Sequence, residues 1–280
     1  AQAYARLGCK VTVIEAGAAF LGHEEPEAGQ ALRPHLEADG IQVMVGDPCV
    51  AVEAQSRAAF GRPPGHVAAA VVHLKSGASV LADRLLVATG RRANSEAWRD
   101  AGLAQTQRGW LQVDPATLEA RPGVFGAGDV TGFGGFTHLA HYHGQIVARR
   151  LLGVDARADH SAVPRVTFTD PEVASIGLSE AAARAQGIDV VTAHADPGET
   201  ARGYIHDFRG GMLKLVGDRS RGVLVGATWV SPRAGEGIGE LVLAIKLGIP
   251  LKALADVIHP FPAFNRVLGE SLGELASKVI

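Results

Sequence analysis

The fold class follows from residues 1–45, AQAYARLGCKVTVIEAGAAFLGHEEPEAGQALRPHLEADGIQVMV. A helical pattern at the start ends at Gly8, and the β-branched run at 11–14 then predicts a strand. Apolar residues recur at helical spacing over 24–39, and residues 41–45 predict a second strand. Helices and strands that alternate in this way indicate an α/β fold, a parallel sheet with crossover helices.

The rest of the chain divides at two places. Short strands separated by turns predict a small antiparallel meander, and a buried strand then ends at the Thr89-Gly90 break. These elements are the strands 50–52, 67–74 and 79–81, the Gly- and Pro-rich stretch 61–65, and the buried strand 85–88. A polar stretch at 155–161 marks the second boundary. The sequence therefore predicts three parts: residues 1–88, 89–160 and 161–280.

The second and third parts differ in pattern. The middle part combines an irregular segment with a strand at 123–129 and a long helix at 138–152. The last part mixes strands and helices in an α+β pattern, with a hairpin turn at 217–222. Its predicted strands are 165–167, 190–193, 211–216 and 223–230, and its predicted helices are 179–186, 236–247 and 266–278.

Composition excludes several classes of protein. The 280 residues carry 27 Lys and Arg against 29 Asp and Glu, spread along the chain, so no basic field exists for nucleic acid or an anionic bilayer. No run approaches the ~18 apolar residues of a membrane helix. The two cysteines, Cys9 and Cys49, are far apart and outside any CxxC spacing, which argues against a disulfide framework or structural zinc. We therefore expect a soluble protein of the reducing cytoplasm.

Glu15 is a candidate for nucleotide binding. It stands at the end of the first predicted strand, where dinucleotide-binding folds use an acid to bind the adenine-ribose hydroxyls. Such an acid favours NAD over NADP, because it would repel a 2′-phosphate and residues 16–19 offer no Arg. On this residue alone, a solvent-exposed Glu at a strand end is the alternative. The GxGxxG that should precede it is absent and residue 1 lies in a helix already under way, so we expect the natural N-terminus upstream.

Asp129 is a second candidate. It follows a Gly-Ala-Gly segment at a strand end, where glycine lets a ligand approach the backbone and the carboxylate can accept hydrogen bonds from a polyol. An Asp that only closes the strand is the alternative.

Three histidines follow within six residues of one another. His138 and His141 would share a helical face, whereas His143 would point away, and no acidic or thiol ligand accompanies them. We therefore expect contacts with a cofactor at the helix start and no metal site.

Several segments resemble the pyridine nucleotide–disulfide oxidoreductase family, which includes dihydrolipoamide dehydrogenase and mercuric reductase. Residues 85–94, LLVATGRRAN, resemble its ATGRxPN segment, and 128–129 its second flavin motif. Residues 136–144 are similar to its flavin-facing helix start, and 163–174, VPRVTFTDPEVA, to the opening of its dimerisation domain. Residues 222–240 match the core of that domain. The chain thus resembles the C-terminal portion of such a flavoprotein.

The resemblance implies a domain order and an assembly. Residues 1–88 would be a Rossmann-like NAD(P)-binding domain truncated at its N-terminus, 89–160 a returning FAD-binding segment, and 161–280 an α+β dimerisation domain. A homodimer joined through the last domain is the natural expectation. The adenine half of the FAD site would precede residue 1, so we expect this chain alone to bind no flavin.

The resemblance also implies site residues for FAD and NAD. Asp129 would bind the FAD ribityl chain, and the backbone around Thr137 and His138 would approach the flavin ring. The residues implied to contact NAD are Glu15, Val50 and Gly90.

The C-terminus departs from the family pattern. The His-Pro-Thr-x-x-Glu of disulfide-reducing members corresponds to FPAFNR, so Phe261 and Arg266 replace the proton-handling His and Glu. A register shifted to use His259 still places Phe264 where Glu should be. Neither a phenyl ring nor a guanidinium supports that proton transfer. His259 is the nearby candidate for a catalytic role, with a purely structural histidine as the alternative.

Two functions from different classes fit these features. The first is an FAD-dependent NAD(P)H oxidoreductase that passes hydride from nicotinamide to flavin and on to a small-molecule acceptor: a quinone, a metal ion or a disulfide. The second is a non-catalytic dimerisation or scaffold protein of the same family. Upstream GxGxxG and CxxxxC motifs would distinguish them.

Overall fold

The computed structural model describes residues 1–55 and 69–279, which form two compact units. The first unit comprises Ala1–Val87 with Val166–Ile280, and the second comprises Ala88–Arg165. The Gly- and Pro-rich stretch 61–65 and the first residues of the strand predicted at 67–74 lie outside the described residues. The division into three functional parts at 88 and 160 stays a prediction.

The described residues contain both helices and strands. The helices are α1 (Gln2–Arg6), α2 (Pro26–Ala38), α3 (Glu96–Asp100), α4 (Thr137–Leu151), α5 (Glu180–Ala185), α6 (Ala201–Ile205), α7 (Ala234–Gly237), α8 (Gly239–Leu247), α9 (Leu251–Ala255) and α10 (Arg266–Ser277). The strands are β1 (Thr12–Glu15), β2 (Gln42–Val45), β3 (Cys49–Gln55), β4 (Ala69–Leu74), β5 (Ser79–Ala82), β6 (Glu119–Arg121), β7 (Val124–Phe125), β8 (Arg165–Thr167), β9 (Glu172–Gly177), β10 (Val190–Ala195), β11 (Met212–Asp218) and β12 (Val223–Ser231).

The first unit opens with the predicted parallel arrangement. β1 and β2 pair in parallel, with Glu15 opposite Val45, and α2 connects them. Pro26 starts α2, at a position where its missing N–H costs nothing. Ala28, Leu32 and Leu36 are spaced four residues apart and therefore lie on one buried face of α2. This face packs in one cluster with β2 and with the C-terminal part of the unit. The buried members of that cluster are Ala28, Leu32, Leu36, Ile41, Val43, Val173, Met212 and Val230.

The prediction of an antiparallel meander is confirmed, but the prediction of a buried strand after it, at residues 85–88, is wrong. β3, β4 and β5 form a three-stranded sheet in that order. Residues 85–88 belong to no strand, and Leu85, Leu86 and Val87 are 44%, 76% and 70% exposed. An apolar run becomes a buried strand only when other strands and side chains cover it. Among the described residues, β1 and β2 are the whole parallel sheet, so nothing pairs with this run.

A five-stranded sheet forms the C-terminal part of the first unit. Its strand order is β10-β11-β12-β9-β8, and every residue of β11 and β12 is buried. β9, which the sequence analysis does not predict as a strand, pairs with β12 and places Ala174 opposite the fully buried Trp229. The single helix predicted at 236–247 is two helices, α7 and α8. Glycines on either side of Ile238 weaken helical continuity, and an added Cβ at Gly237 would lie 2.6 Å from the Trp229 ring.

A buried ion cluster links α2, α5 and β11. Lys214 Nζ lies 3.0 Å from Glu25 Oε2, 2.8 Å from Glu27 Oε1 and 2.9 Å from Glu180 Oε2. The Lys214 and Glu25 side chains are 4% and 3% exposed. Burial alone would lower the pKa of Lys214, but its hydrogen bonds to the three carboxylates raise that pKa above its usual range. The ammonium is therefore charged, as is the carboxylate of Glu180, whose pKa its hydrogen bond with Lys214 lowers.

The second unit has fewer regular elements. β6 and β7 form a two-stranded antiparallel ribbon, and α4 confirms the long helix predicted at 138–152. The strand predicted at 123–129 is shorter, because only Val124–Phe125 pairs and a 3₁₀ turn, Gly128–Thr131, begins where Gly128 has φ +72°. Leu118, Ile146 and Ala156 form the small core beneath α4.

Across residues 1–55 and 69–279, no helix has both the length and the apolar character needed to cross a membrane.

Candidate functional site

The predicted flavin motif folds as a tight turn packed on helix α4. An added Cβ at Gly126 would lie 3.0 Å from both Leu111 and Val113, and one at Gly128 would lie 2.8 Å from Ala140 Cβ. Only glycine therefore lets this backbone lie so close to its neighbours. Thr131 Oγ1 donates a hydrogen bond to the Gly128 carbonyl oxygen at 2.7 Å, which closes the turn from inside.

His143 holds the same glycine from the other side. The Gly128 N–H donates to His143 Nδ1 at 3.1 Å, and the His143 side chain is fully buried. His143 thus points away from the exposed side chains of His138 and His141, as its spacing predicts, and its contact with the glycine turn is one that the spacing did not predict. Burial lowers the pKa of His143, and the neighbouring His160 lowers it further. His143 is thus a neutral imidazole at physiological pH.

Asp129 and Arg91 meet at the surface of the second unit. The Arg91 Nη1 atom lies 3.4 Å from Asp129 Oδ2, and the Asp129 side chain is 49% exposed. Gly90 precedes this arginine with φ +113°, and an added Cβ there would meet nothing within 4 Å. Two segments that are far apart in sequence therefore converge on one carboxylate, which still has oxygen capacity to accept hydrogen bonds from a ligand.

Thr137 and His138 begin helix α4, as the resemblance requires, and both side chains are exposed. The His138 ring stacks on Phe136 with centroids 5.3 Å apart, and its Nε2 lies 2.9 Å from the Pro164 carbonyl oxygen. His138 is thereby oriented by its own unit, and its assignment to the flavin site stays a prediction.

The three clustered histidines have three different sets of partners. His138 contacts Pro164, His141 Nε2 contacts Gln145 at 3.0 Å, and His143 contacts Gly128. Within the described ranges, no group of three or more His, Cys, Asp or Glu side chains is arranged to hold a metal ion.

Glu15 and Val50 lie in the first unit. Glu15 ends β1, and its Oε1 accepts a hydrogen bond from the Gly17 N–H at 2.6 Å. Gly46 donates to the carbonyl oxygens of both Glu15 and Gly17, so the turn after β1 is tied to the end of β2. The turn fixes one carboxylate oxygen and leaves the side chain half-buried at the carboxyl end of a parallel strand. Val50 is exposed on β3.

The C-terminal segment contains a His–Glu pair, but not at the motif positions. His259 is buried, and its Nε2 lies 2.9 Å from Glu240 Oε1 and 3.1 Å from Oε2. Phe261 is exposed, and the Arg266 guanidinium lies 5.5 Å from the centroid of its ring. The residues at the motif positions thus form a cation–π contact.

Sequence reasoning missed the contacts of His143 and the pairing of His259. The sequence contained a signal for the pairing of His259. His259, next to a proline, and Glu240, on a preceding helix, are both polar residues in otherwise apolar stretches of sequence. The first had no such signal, because the contact depends on the turn at Gly128.

Comparisons with known proteins identify the family. Residues 1–144 match the family described as "Pyridine nucleotide-disulphide oxidoreductase", and residues 163–272 match its dimerisation domain. The chain therefore belongs to the pyridine nucleotide-disulphide oxidoreductase family. This confirms the family resemblance and the dimerisation domain that the resemblance implied.

Individual relatives agree with this assignment. The chain is 31% identical to dihydrolipoyl dehydrogenase of Geobacillus stearothermophilus, over 96% of the chain and 56% of that protein. It is 34% identical to mercuric reductase of Acidithiobacillus ferrooxidans, over 93% of the chain and 46% of that protein. The chain spans about half the length of these relatives.

Solved structures share the fold. LpdA from Mycobacterium tuberculosis superposes with a TM-score of 0.83 at 23% identity, over 98% of this chain and 58% of that one. A Cu(II) complex of a variant of RclA, the HOCl-induced flavoprotein disulfide reductase from Escherichia coli, gives a TM-score of 0.81 at 26% identity. That match covers 99% of this chain and 60% of the other.

Proposed function

We propose that the full protein is an FAD-dependent NAD(P)H oxidoreductase that passes hydride from nicotinamide to flavin and on to a small-molecule acceptor. One observation carries the proposal. The Gly90–Arg91 segment and Asp129, both at family motif positions, converge to 3.4 Å on an exposed face of the second unit. A purely structural role for the turn would account for its glycines. It would not account for the half-exposed Asp129 carboxylate at the point where the two motifs meet.

The residues present fit FAD. The Asp129 carboxylate suits the hydroxyls of a ribityl chain, and the backbone at Gly90, beside Arg91, is open because an added Cβ there would meet nothing within 4 Å. The backbone near Thr137 and His138 would border the flavin ring. When bound, FAD supplies the two-electron redox chemistry. The chain would bind the cofactor, orient it and exclude water from its reactive face.

NAD fits the first unit better than NADP. Glu15, whose Oε1 is fixed by the Gly17 N–H, would accept hydrogen bonds from the adenine-ribose hydroxyls through its remaining capacity. A 2′-phosphate would meet a negative charge there, and the turn after Glu15 offers no arginine. Val50 is the other residue of the first unit that we assign to NAD.

The acceptor is one that needs no acid or base at positions 261 and 266. Phe261 cannot carry a proton, and the guanidinium of Arg266 has no lone pair with which to accept one. His259 is buried against Glu240, so its role is structural unless the acceptor site reaches it. Quinones and metal ions meet this condition better than a protein or lipoyl disulfide does.

We also propose a homodimer formed through the C-terminal domain. The match of residues 163–272 to a dimerisation domain supports this proposal. Apolar side chains exposed on this domain include Ile258 at 96%, Phe168 at 82% and Phe261 at 69%. Exposed apolar surface of this kind is typical of an interface between subunits. Sedimentation of the full protein tests this: Ile258→Asp should yield monomers, and the equally apolar control Leu152→Asp should leave dimers.

Flavin content and NADH oxidation test the activity. The full-length protein should purify with oxidised flavin, and NADH should reduce it in the absence of oxygen. Quinone, Hg(II) and lipoamide, offered in turn, then identify the acceptor. Asp129→Asn should lower the flavin content, whereas Asp100→Asn, an exposed acid of the same unit, should not. Full flavin content in Asp129→Asn would refute the assignment of that residue.

A non-catalytic dimerisation or scaffold protein is the second candidate. The observation in its favour is the replacement of both proton-handling positions by a phenylalanine and an arginine that contact each other. On that reading the full protein forms dimers but neither retains flavin nor oxidises NADH with any of the three acceptors.

A further inference from the structure

Two histidines of the second unit face each other through their Nε2 atoms. His143, on α4, and His160, after that helix, have Nε2 atoms 2.8 Å apart, which is a hydrogen-bond distance. The ring of Phe133 stacks on His160 with centroids 4.4 Å apart and stands edge-on to His143. The family resemblance assigns no role to His143, His160 or Phe133.

The other nitrogen of His143 decides where the protons are. Nδ1 accepts a hydrogen bond from the Gly128 N–H, so it carries no proton. A neutral imidazole without a proton on Nδ1 carries it on Nε2, and that N–H can only be the donor toward His160. His160 Nε2 is therefore the acceptor. The Gly128 N–H, which can only donate, thus sets the tautomer of His143, and His160 supports that tautomer by accepting the proton that it places on Nε2.

This arrangement fixes both ends of the Gly128 residue. Its N–H is bound by His143 and its carbonyl oxygen by the Thr131 hydroxyl, and both bonds are buried. Asp129 follows directly, so the direction in which its carboxylate leaves the turn depends on these two bonds. The bond to His143 spans 15 residues and ties the turn to α4, whereas the bond to Thr131 is local.

We propose that His143 is a positioning residue for the flavin site, held in its working tautomer by His160, and that the pair makes flavin retention sensitive to acid. The proposal rests on the proposed function, because it assigns the fixed geometry of Asp129 to the binding of the FAD ribityl chain. His143 acts through the backbone and does not touch the cofactor.

Protonation breaks the arrangement at one of two places. A second proton on His143 would go to Nδ1 and displace the Gly128 N–H, and a proton on His160 Nε2 would oppose the His143 donor. The neutral pair is therefore the only state that keeps both bonds. Because the pKa of His143 is lowered by burial and by His160, the bonds persist at neutral pH and are lost in acid.

Other titratable groups lie near the pair and have separate partners. The Tyr142 ring lies 6.2 Å from that of His143, and the Tyr142 hydroxyl accepts from the Asp159 N–H. The Asp159 carboxylate accepts from the Ser161 N–H, and Asp129 faces Arg91. A test of acid sensitivity must therefore change His143 itself while leaving these groups in place.

The rate of flavin release from the full-length holoenzyme tests the proposal, followed by the rise in flavin fluorescence between pH 8 and pH 5. His143→Gln keeps an acceptor for Gly128 and a donor for His160, but the amide does not titrate. His143→Leu removes both bonds. His141→Gln, an exposed histidine on the same helix, is the matched control.

We expect release from the wild type and from His141→Gln to accelerate in acid. His143→Gln should match the wild type at pH 8 and show a much flatter pH profile, because its amide oxygen keeps the bond to the Gly128 N–H whether or not His160 is protonated. His143→Leu should release flavin about tenfold faster at pH 8, because of its two lost bonds the buried one to Gly128 is the one that holds the turn before Asp129. Far-UV circular dichroism checks that each variant is folded, and the pH profile of His143→Gln decides the matter if the leucine variant does not fold.

Three results would overturn the inference: a wild-type release rate independent of pH, an acid response retained in full by His143→Gln, or a folded leucine variant that releases flavin at the wild-type rate. A wild-type protein that holds no flavin even at pH 8 would instead refute the proposed function, and the inference would fall with it.

Discussion

Removal of the buried Lys214 ammonium should destabilise the first unit more than the removal of a single charge at its surface does. Lys214→Met keeps most of the aliphatic stem and removes the charge that three carboxylates share at 2.8–3.0 Å. Glu25, only 3% exposed, would then be a buried carboxylate without its counter-ion. Breaking a buried ion pair by removing one partner costs about 3–5 kcal/mol. We expect a loss of that size in the free energy of unfolding.

Urea unfolding monitored by the fluorescence of the buried Trp229 measures this loss, because Trp229 lies on β12, next to the strand that carries Lys214. Lys252→Met, at an exposed position on α9 of the same unit, is the control and should change stability by no more than about 0.5 kcal/mol. Adding Glu25→Gln to Lys214→Met should recover part of the loss, because the remaining buried group would be neutral.

Equal effects of Lys214→Met and Lys252→Met would contradict the reasoning. So would a double variant less stable than Lys214→Met alone, since that would mean that the cost does not come from the buried carboxylate.

Three further predictions follow from the described contacts. The pKa of Glu180 is lowered by its hydrogen bond with the Lys214 ammonium, so its carboxylate contributes stability that is fully present above the pKa of the unfolded state. That stability should be lost as pH falls through the lower folded value, and an acid titration of wild type against Glu180→Gln should show a smaller loss in the variant. Glu15→Gln should raise the KM for NADH several-fold and reduce the preference for NADH over NADPH. An unchanged ratio of the two KM values would show that Glu15 does not belong to the nucleotide site. Gly128→Ala should abolish flavin retention, because its Cβ would lie 2.8 Å from Ala140, whereas Gly153→Ala, also at positive φ but with open space around it, should cost only about 1 kcal/mol of stability.

Much of the fold is readable from the sequence where local pattern and packing agree. The β1–α2–β2 alternation, the meander and the hairpin between β11 and β12 all have strong periodicity or turn chemistry, and the structure contains them. The family could also be recognised, because its motifs depend on glycine, proline and acidic residues that are visible one by one.

The errors occur where an element depends on partners distant in sequence. Residues 85–88 are apolar enough for a buried strand, yet burial requires neighbouring strands, and none in the described part of the chain pairs with them. Residues 123–129 end early as a strand because a left-handed glycine turns the backbone. The buried face of His143 could not be read from helical spacing, because it is defined by the turn at Gly128 and by His160, neither of which belongs to the helix.

Anaerobic addition of NADH to the purified full-length protein tests the central claim most directly. The proposed function predicts a visible absorbance band of oxidised flavin that NADH bleaches and that an added quinone or metal-ion acceptor restores. A full-length protein that binds no flavin, or whose flavin NADH does not reduce, would contradict it.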